Sequence, residues 1–599
     1  MRARLIVGGS IMLAALMGAL VPIVSVMQSA GPQWQGIMPE LVTDSLYYHA
    51  QMREVFDGYP KVGNPYTYEH RTETAPAFFI PVIISALPLF VGIPLAWAVT
   101  LNLFVWLGLF LTLAYLLSRS LGLARWWALS AALFMALCGM MFIVRPVALQ
   151  IVFPVFLWWM YTLSRWLHEP TRGTTVHFIV ATVVVPYAYT YLAYIVLPAL
   201  GVLGLMLVVY RRESIVQLMK YGLVGLIAVI PFVLFVMRQL HHPWYMETLE
   251  RIGLVATRIP AIEFLWYGRW VIIGSLGLLM ADRMLSWRSV KSPPPVLVWT
   301  VVVGSGLLIG AWFNLIIGTE LTIAIHVGRF IVVWTALVLV LILARMWHSG
   351  IPSGVVQWIR TLVALMCVVL LLMGSLRTMY RSFAFLRPDT VAEALQVQAY
   401  AQPLSWLAAN APRESVVWSN DAFAEFVPIY TSHYVLFAPA SVLQVVSSVE
   451  VEDRYLLSRM HEVTIDSLKR DLLLYAGAGK AKEQPLNHNR HAFVCMLAQR
   501  VFSSTGECVA SSDAVTLAGK AYFERLQERS VILNAARDHL LTKYRVRYLV
   551  IDTRTDPVDF IPASAQVRFT NERFVIYELP FSDFDAVNEA ATASPIPRI

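Results

Sequence analysis

Apolar runs of about twenty residues recur along the first two thirds of this chain, and nothing else constrains its fold as much. A helix that crosses a bilayer needs about 20 predominantly apolar residues. The first run, about Leu5 to Met27, follows Arg2 and Arg4. It is longer than the apolar core of a cleaved signal peptide, so an uncleaved signal anchor is expected. Further runs fall at about 95–118, 124–143, 148–167, 177–191, 193–210, 216–237, 264–283, 295–317, 327–347 and 357–376. Prolines at 186 and 198 interrupt the pair between His177 and Tyr210. Only 14% of the 599 residues are charged, against about 25% in a soluble chain. The expected fold class is a polytopic α-helical membrane protein with about 11 transmembrane helices. The net charge of +8 sits in short clusters between apolar runs, which marks orientation rather than a nucleic-acid partner.

The stretch Phe78–Val91, "FFIPVIISALPLFV", is too short and too proline-rich for a span, and is expected to be interfacial or re-entrant. With the N-terminus cytoplasmic, the loops at 118–125, 164–173, 211–220, 282–291 and 345–360 are then internal. Each is basic, as the positive-inside rule asks. The segment 28–94, the turn at Arg145–Pro146, the loop Arg238–Pro260 and the loop Gly318–His326 fall outside. The polar tail from about Ser375 falls there too. Its runs "SVVWSN" (415–420), "YVLFAP" (434–439), "RYLVIDT" (547–553) and "RFVIYEL" (573–579) read as strands. "PLSWLAAN", "DAFAEFVPIY" and about 450–476 have helical periodicity. The expected division is a membrane part, 1–376, and an extracytoplasmic mixed α/β part, 377–599. Cys138 and Cys367 read as small core residues. Outside the cytoplasm Cys495 and Cys508 are free to pair or to stay thiols.

The external face carries "TDSLYYHAQMREVFDGYP" at 43–60. On a helix, Asp44, Tyr47, Tyr48 and Gln51 share one face. Two readings of Asp44 stand side by side: a helix cap beside an aromatic belt, or a carboxylate for general-base or cation-ligand work.

The order of a first span, "D-x-x-Y-Y-H" from Asp44, "GYP" at 58–60, a short proline-bounded apolar run and a basic-ended helix resembles the GT-C membrane glycosyltransferases. These include protein mannosyltransferases, aminoarabinose transferases and oligosaccharyltransferase catalytic subunits. The tail stretches "PLSWLAANAPRESVVWSN" and "YRVRYLVIDT" are similar in style to those of bacterial members. The resemblance implies a GT-C-like bundle in a bacterial inner membrane, with Asp44 at the catalytic centre. It implies a polyprenyl-phosphate-linked sugar donor and transfer with inversion to a hydroxyl of a glycan, lipid or protein, with Asp44 either the base or, where a divalent cation (Mg or Mn) takes part, its ligand. The chain departs from the pattern twice. The loop "VRPVALQ" (144–150) has no second acid, and the Trp-Trp-Asp signature of oligosaccharyltransferases is absent.

A phosphate leaving group needs cations, and arginine supplies a fork of donors. Arg145, before Pro146 at a helix exit, and Arg329, in "HVGRF" with His326 one turn earlier, are the candidates for it, with Tyr47 and Tyr48 beside them. Each also has a plainer reading as a snorkelling or interface residue. Arg251 and Arg258 read as charges of an exposed loop. Glu69 and Glu73 are candidate second acids, Glu320 a weaker one, and the pair His241–His242 a weak metal signal. The rival functions are a lipid-linked glycan polymerase, a transporter, and a non-catalytic scaffold of the same fold.

Overall fold

The computed structural model describes residues 2–210, 212–261, 264–285, 294–348, 355–382, 388–461, 463–502, 508 and 512–580. Parts of the predicted internal loops 282–291 and 345–360 lie outside the described residues, as do 581–599 of the tail.

Each of the eleven apolar runs is a helix: α1 (Arg2–Ala30), α4 (Leu95–Ser120), α5 (Arg125–Ile143), α6 (Ala148–His168), α7 (Arg172–Ala188), α8 (Thr190–Tyr210), α9 (Arg212–Leu240), α11 (Phe264–Leu285), α12 (Pro295–Ala311), α14 (Ile323–His348) and α15 (Val355–Ser382). Among the described residues, six of them (α1, α4, α5, α8, α9 and α14) are long and apolar enough to cross a membrane. Pro186 and Pro198 lie inside α7 and α8. The break between these helices falls instead on the extended residue Tyr189, φ −167°. Neighbouring helices tolerate such prolines by re-satisfying the freed backbone groups.

The bundle packs around fully buried Trp159, Trp299, Trp334, Phe153 and Phe156. Helices α12 and α8 meet most closely. A Cβ added to Gly306 or Gly310 would stand 2.5 Å from the carbonyl of Ile195 or Tyr194. This is the small-xxx-small spacing that lets membrane helices approach through their backbones. It fixes the start of α8 and the tyrosines there.

Between α1 and α4 lie α2 (Ser45–Phe56) and α3 (Ile80–Phe90). With 11 residues, α3 is about 16 Å long, roughly half the hydrocarbon thickness. The first loop, the Arg145 turn, the loop after α9 and the tail, all expected outside, meet on one face of the bundle. Arg145 reaches Asp44, Gln239 donates to the Ala75 carbonyl at 2.9 Å, and Val435 of the tail donates to the Tyr66 carbonyl at 2.8 Å. A full span at Phe78–Val91 would have put the first loop on the face opposite to these partners.

That face also carries α10 (Tyr245–Ile252), α13 (Asn314–Ile317) and a hairpin of β1 (Leu254–Ala256) with β2 (Thr319–Leu321). The tail adds α16 (Pro388–Gln398), α17 (Ala401–Asn410), α18 (Asp421–Ala424), α19 (Val427–Tyr430) and α20 (Ser448–Ser458). Its strands are β3 (Val416–Trp418), β4 (Tyr434–Val435), β5 (Val546–Asp552), β6 (Gln566–Thr570) and β7 (Phe574–Glu578), in the order β4-β3-β5-β7-β6. The first three are parallel, while β7 runs antiparallel to β5 and β6. Valine and isoleucine crowd β3, β5 and β7, as suits a pleated, buried surface.

The first loop does not stand apart from the tail. Ile37, Leu46, Ala50 and Tyr66 share one apolar core with Tyr400, Leu404, Phe423, Val427 and Ile576. Gln398 accepts from the Gln35 and Ile37 amides at 2.8 and 3.3 Å and donates back to the Ile37 carbonyl at 2.8 Å. A disulfide joins Cys495 and Cys508. Cys138 and Cys367 are buried, as core residues should be.

Candidate active site

Asp44 stands at the N-cap of α2, where its carbonyl accepts the first helical bond from the Tyr48 amide at 3.2 Å. Its side chain makes no cap hydrogen bond. Its backbone is left-handed, φ 66° and ψ 13°, a conformation that short polar residues visit more readily than others. The amide donates to Glu40 Oε1 at 2.8 Å, and the carboxylate turns to form an ion pair with Arg145. Arg145, between α5 and α6, also lies over the Tyr48 ring, 5.3 Å from its centroid.

Two more residues with positive φ open the neighbouring helices. Val147, φ 57°, precedes α6, and Thr322, φ 48°, precedes α14. A β-branched residue there is a genuine outlier. Each such residue costs about 1–3 kcal/mol and persists only where surrounding structure over-determines it. The three strained junctions position Asp44, Arg145 and the start of α14.

The second turn of α14 carries His326 and Arg329. The Tyr189 hydroxyl is 2.6 Å from His326 Nδ1 and Arg329 Nη1 is 3.2 Å from the same nitrogen. Guanidinium nitrogens only donate. Nδ1 therefore accepts, and the ring proton sits on Nε2. Tyr191 stacks on the imidazole, with centroids 3.9 Å apart and planes 12° from parallel. Arg329 is within electrostatic range of Tyr189, Arg145, Tyr48 and Asp44. The site thus gathers two guanidiniums, one carboxylate and a tyrosine cluster. A cavity of about 110 Å³ lies against it, lined by Tyr47, Tyr48, Gln51, Phe78, Val147, Tyr189 and Tyr191. Burial pushes the Tyr47 phenol well above its ordinary range, so it is a donor at neutral pH.

The other candidates lie in different surroundings. Glu69 pairs with Arg454 of the tail at 2.5 Å, and Glu73 with His70 at 2.8 Å. Glu320 of β2 is buried against Arg490 of the tail helix Gln484–Phe502, at 2.8 Å. Arg251, expected in an exposed loop, is buried. It donates to the carbonyls of Val442, Gln444 and Val446 and to Ser448, clamping a tail loop on α10. Arg258 donates to the Leu315 and Ile316 carbonyls and closes α13. His241 donates to the Met237 carbonyl at 2.6 Å, and His242 stands 3.8 Å from Glu73.

Among the described residues no group of three or more His, Cys, Asp or Glu is placed to hold a metal ion. Around Asp44 the donor set does not fit a Mg or Mn site as arranged. The carboxylate is engaged by a guanidinium, and the adjacent acid, Glu40, accepts the Asp44 amide.

Sequence reading did not single out Glu40, Tyr189 or Tyr191. The signal for the tyrosines was present in "PYAYTYLAY" (186–194). There, alternate tyrosines mark the point at which the helical pair breaks.

No family model matches the chain, and no curated protein matches it. Among solved structures it is similar to the Archaeoglobus fulgidus oligosaccharyltransferase in its apo form: 11% identity over 90% of this chain and 69% of that one, TM-score 0.39. It is similar also to the archaeal oligosaccharyltransferase AglB from Archaeoglobus fulgidus in complex with an inhibitory peptide and a dolichol-phosphate: 10% identity, 90% and 69% coverage, TM-score 0.40. A third is ArnT from Cupriavidus metallidurans bound to undecaprenyl phosphate: 13% identity, 94% and 97% coverage, TM-score 0.39.

Proposed function

We propose that the chain is an integral membrane glycosyltransferase that moves a sugar from a polyprenyl-phosphate-linked donor to an acceptor hydroxyl on the extracytoplasmic side. One observation carries this reading. A carboxylate in the first loop is held in a left-handed backbone, makes no cap bond, and is turned onto a guanidinium beside a cavity. A helix cap needs none of this.

The resting pair gives the reaction its order. Arg145 and Arg329 attract the donor phosphate, and the phosphate competes with Asp44 for Arg145. The carboxylate is then released to face the acceptor. The acceptor oxygen attacks the anomeric carbon as the bond from that carbon to the phosphate oxygen breaks. The electron pair leaves with the phosphate, and the acceptor proton passes to Asp44. The phosphate departs as a stable anion, so no general acid is required, and attack opposite to the leaving group inverts the centre. Tyr189 and Tyr191 hold His326, and through it Arg329, in place.

The test uses the purified full chain in nanodiscs with a lipid-linked donor carrying a radiolabelled sugar, and a membrane extract as acceptor source. Label should move into acceptor as free polyprenyl phosphate appears in equal amount. If sugar is neither transferred nor hydrolysed from any polyprenyl phosphate or diphosphate donor, the reading fails.

A further inference from the structure

A second and larger cavity, of about 530 Å³, shares no lining residue with the one beside Asp44. It lies between the end of α2, the turn joining α3 to α4, and the tail helices α17 and α19. Its volume falls within the ordinary range of small-ligand sites.

One wall is a single face of α17. Ala401, Leu404, Ser405 and Ala408 line it at i, i+3, i+4 and i+7, and three of the four are small, which is what leaves the space. The opposite wall is aromatic, with Trp34, Phe56 and Trp97. Trp97 is the third residue of α4 and is 46% exposed, and Phe90 beside the groove is 55% exposed. Half-exposed aromatics at the head of a membrane-length helix sit at headgroup level. At Gly92, φ 80°, a Cβ would meet nothing within 4 Å. The groove is therefore open on the Gly92 side, next to the exposed Phe90 and Trp97.

The groove also has one charged end. Arg53 Nε donates to Asp57 at 2.9 Å, and its guanidinium lies 5.0 Å from the Phe56 ring centroid. Among the described residues its two Nη groups have no hydrogen-bond partner. Asp57 stands 4.0 Å from a second arginine, Arg413, so two guanidiniums share one carboxylate. Arg53 is the one charged residue among those lining the groove, and it stands at the polar end of an apolar trough.

We propose that this groove seats one anionic phospholipid of the surrounding leaflet, its phosphate at Arg53 and an acyl chain along α17 and Trp97. The bound lipid fastens the tail to the membrane at a point separate from the transfer site. This proposal stands on the membrane location of the chain and not on its chemistry.

The experiment is native mass spectrometry of the full chain released from nanodiscs of phosphatidylglycerol and phosphatidylcholine in equal amounts. One phosphatidylglycerol should remain bound. Retention should fall about tenfold in Arg53→Gln, the loss expected from one charge-assisted contact, and Arg53→Lys should restore part of it. Ala408→Trp fills the trough and should abolish retention. Ser405→Phe, at an exposed position of the same face, serves should the tryptophan variant fail to fold. Equal retention of both lipids, unchanged retention in the filled variants, or displacement by polyprenyl phosphate at equal mole fraction would each overturn the proposal.

Discussion

Two clusters of charged and aromatic side chains on the same face of this protein are made of the same residue types and built on opposite rules. One is the clamp that holds the first loop to the tail. His70 lies between Glu73 at 2.8 Å and Glu450 at 3.1 Å. Arg454 bridges Glu450 at 2.9 Å and Glu69 at 2.5 Å, over the ring of Tyr544. Every charge in it faces an opposite one and none of these residues has a positive φ, with one buried atom, Glu73 Oε2, lacking a hydrogen-bond partner. The other is the Asp44 cluster. Three junctions around it are strained. Arg145 Nε, Ser45 Oγ and both ring nitrogens of buried His49 have no hydrogen-bond partner. Completed networks rigidify a fold. Strain and unmet polar groups persist where something else is gained from them. On the proposed function the clamp is a structural device and the Asp44 cluster a chemical one, and this contrast can be attacked from both ends.

The largest effect is expected at Asp44. Asparagine keeps the shape of aspartate and accepts a left-handed backbone, so Asp44→Asn should fold and keep its thermal stability within a few degrees. Turnover should fall by about 10²–10⁴-fold, the usual contribution of a general base. Normal transfer by a stable Asn variant would place this cluster with the clamp.

Arg454→Ala should do the reverse. The arginine is 2% exposed, and removing one member of a buried ion network costs about 3–5 kcal/mol. The apparent Tm should drop sharply while turnover per folded molecule stays close to that of the wild type. A lower rate at unchanged Tm would mean that the clamp takes part in the chemistry.

Smaller losses are expected at the cations. Arg145→Ala and Arg329→Ala each remove a charge-assisted contact to phosphate, worth about 1.5–3 kcal/mol, or roughly one to two decades in rate. Lysine should rescue only partly, because it lacks the planar fork. Full activity in both alanine variants would remove these arginines from the reaction.

The smallest effect is in the pH dependence of the clamp. Burial pulls His70 down, but its bonds to Glu450 and Glu73 outweigh this and raise it from 6.5 to about 9. Burial raises Glu450, but His70 and Arg454 outweigh that and lower it from 4.5 to about 2. The histidine contribution is therefore complete below about 6.5 and lost as the pH rises through about 9. The glutamate contribution is complete above about 4.5 and lost as the pH falls through about 2. Apparent Tm should decline from pH 6.5 to 9, and His70→Gln should flatten that decline. An unchanged slope in the variant would separate His70 from stability.

Much of the architecture was legible because it follows from local composition. All eleven apolar runs are helices; the strand runs at 415–420, 434–439 and 573–579 contain β3, β4 and β7, and the run 547–553 covers β5 but for its first residue, Val546. The edge strand β6, "QVRFT", was missed because its alternation rests on only two apolar residues, Val567 and Phe569, in a five-residue, mostly exposed run. The helix α10 was read as loop for a related reason. Its eight residues hold a partner-facing stripe rather than a long apolar run. Asp44 was legible from its place after the first span. Its environment was not, because the bond to Arg145 spans 101 residues and that from Tyr189 to His326 spans 137. Pairings at such separations leave no periodicity in a single sequence. Glu69, Glu73 and Glu320 had the right residue type. What their partners would be depended on where the tail folds back.

The buried pair Glu320–Arg490 has a consequence for how such chains can recombine. Glu320 belongs to the short strand just before the strained Thr322 and the helix bearing His326 and Arg329, whereas Arg490 belongs to the tail. A chimera that takes its tail from another protein would bring an unrelated residue against this buried carboxylate, at the root of the helix that bears His326 and Arg329. The unit that can be exchanged intact is the hairpin, the start of α14 and the tail together, although more than 150 residues of chain separate the parts.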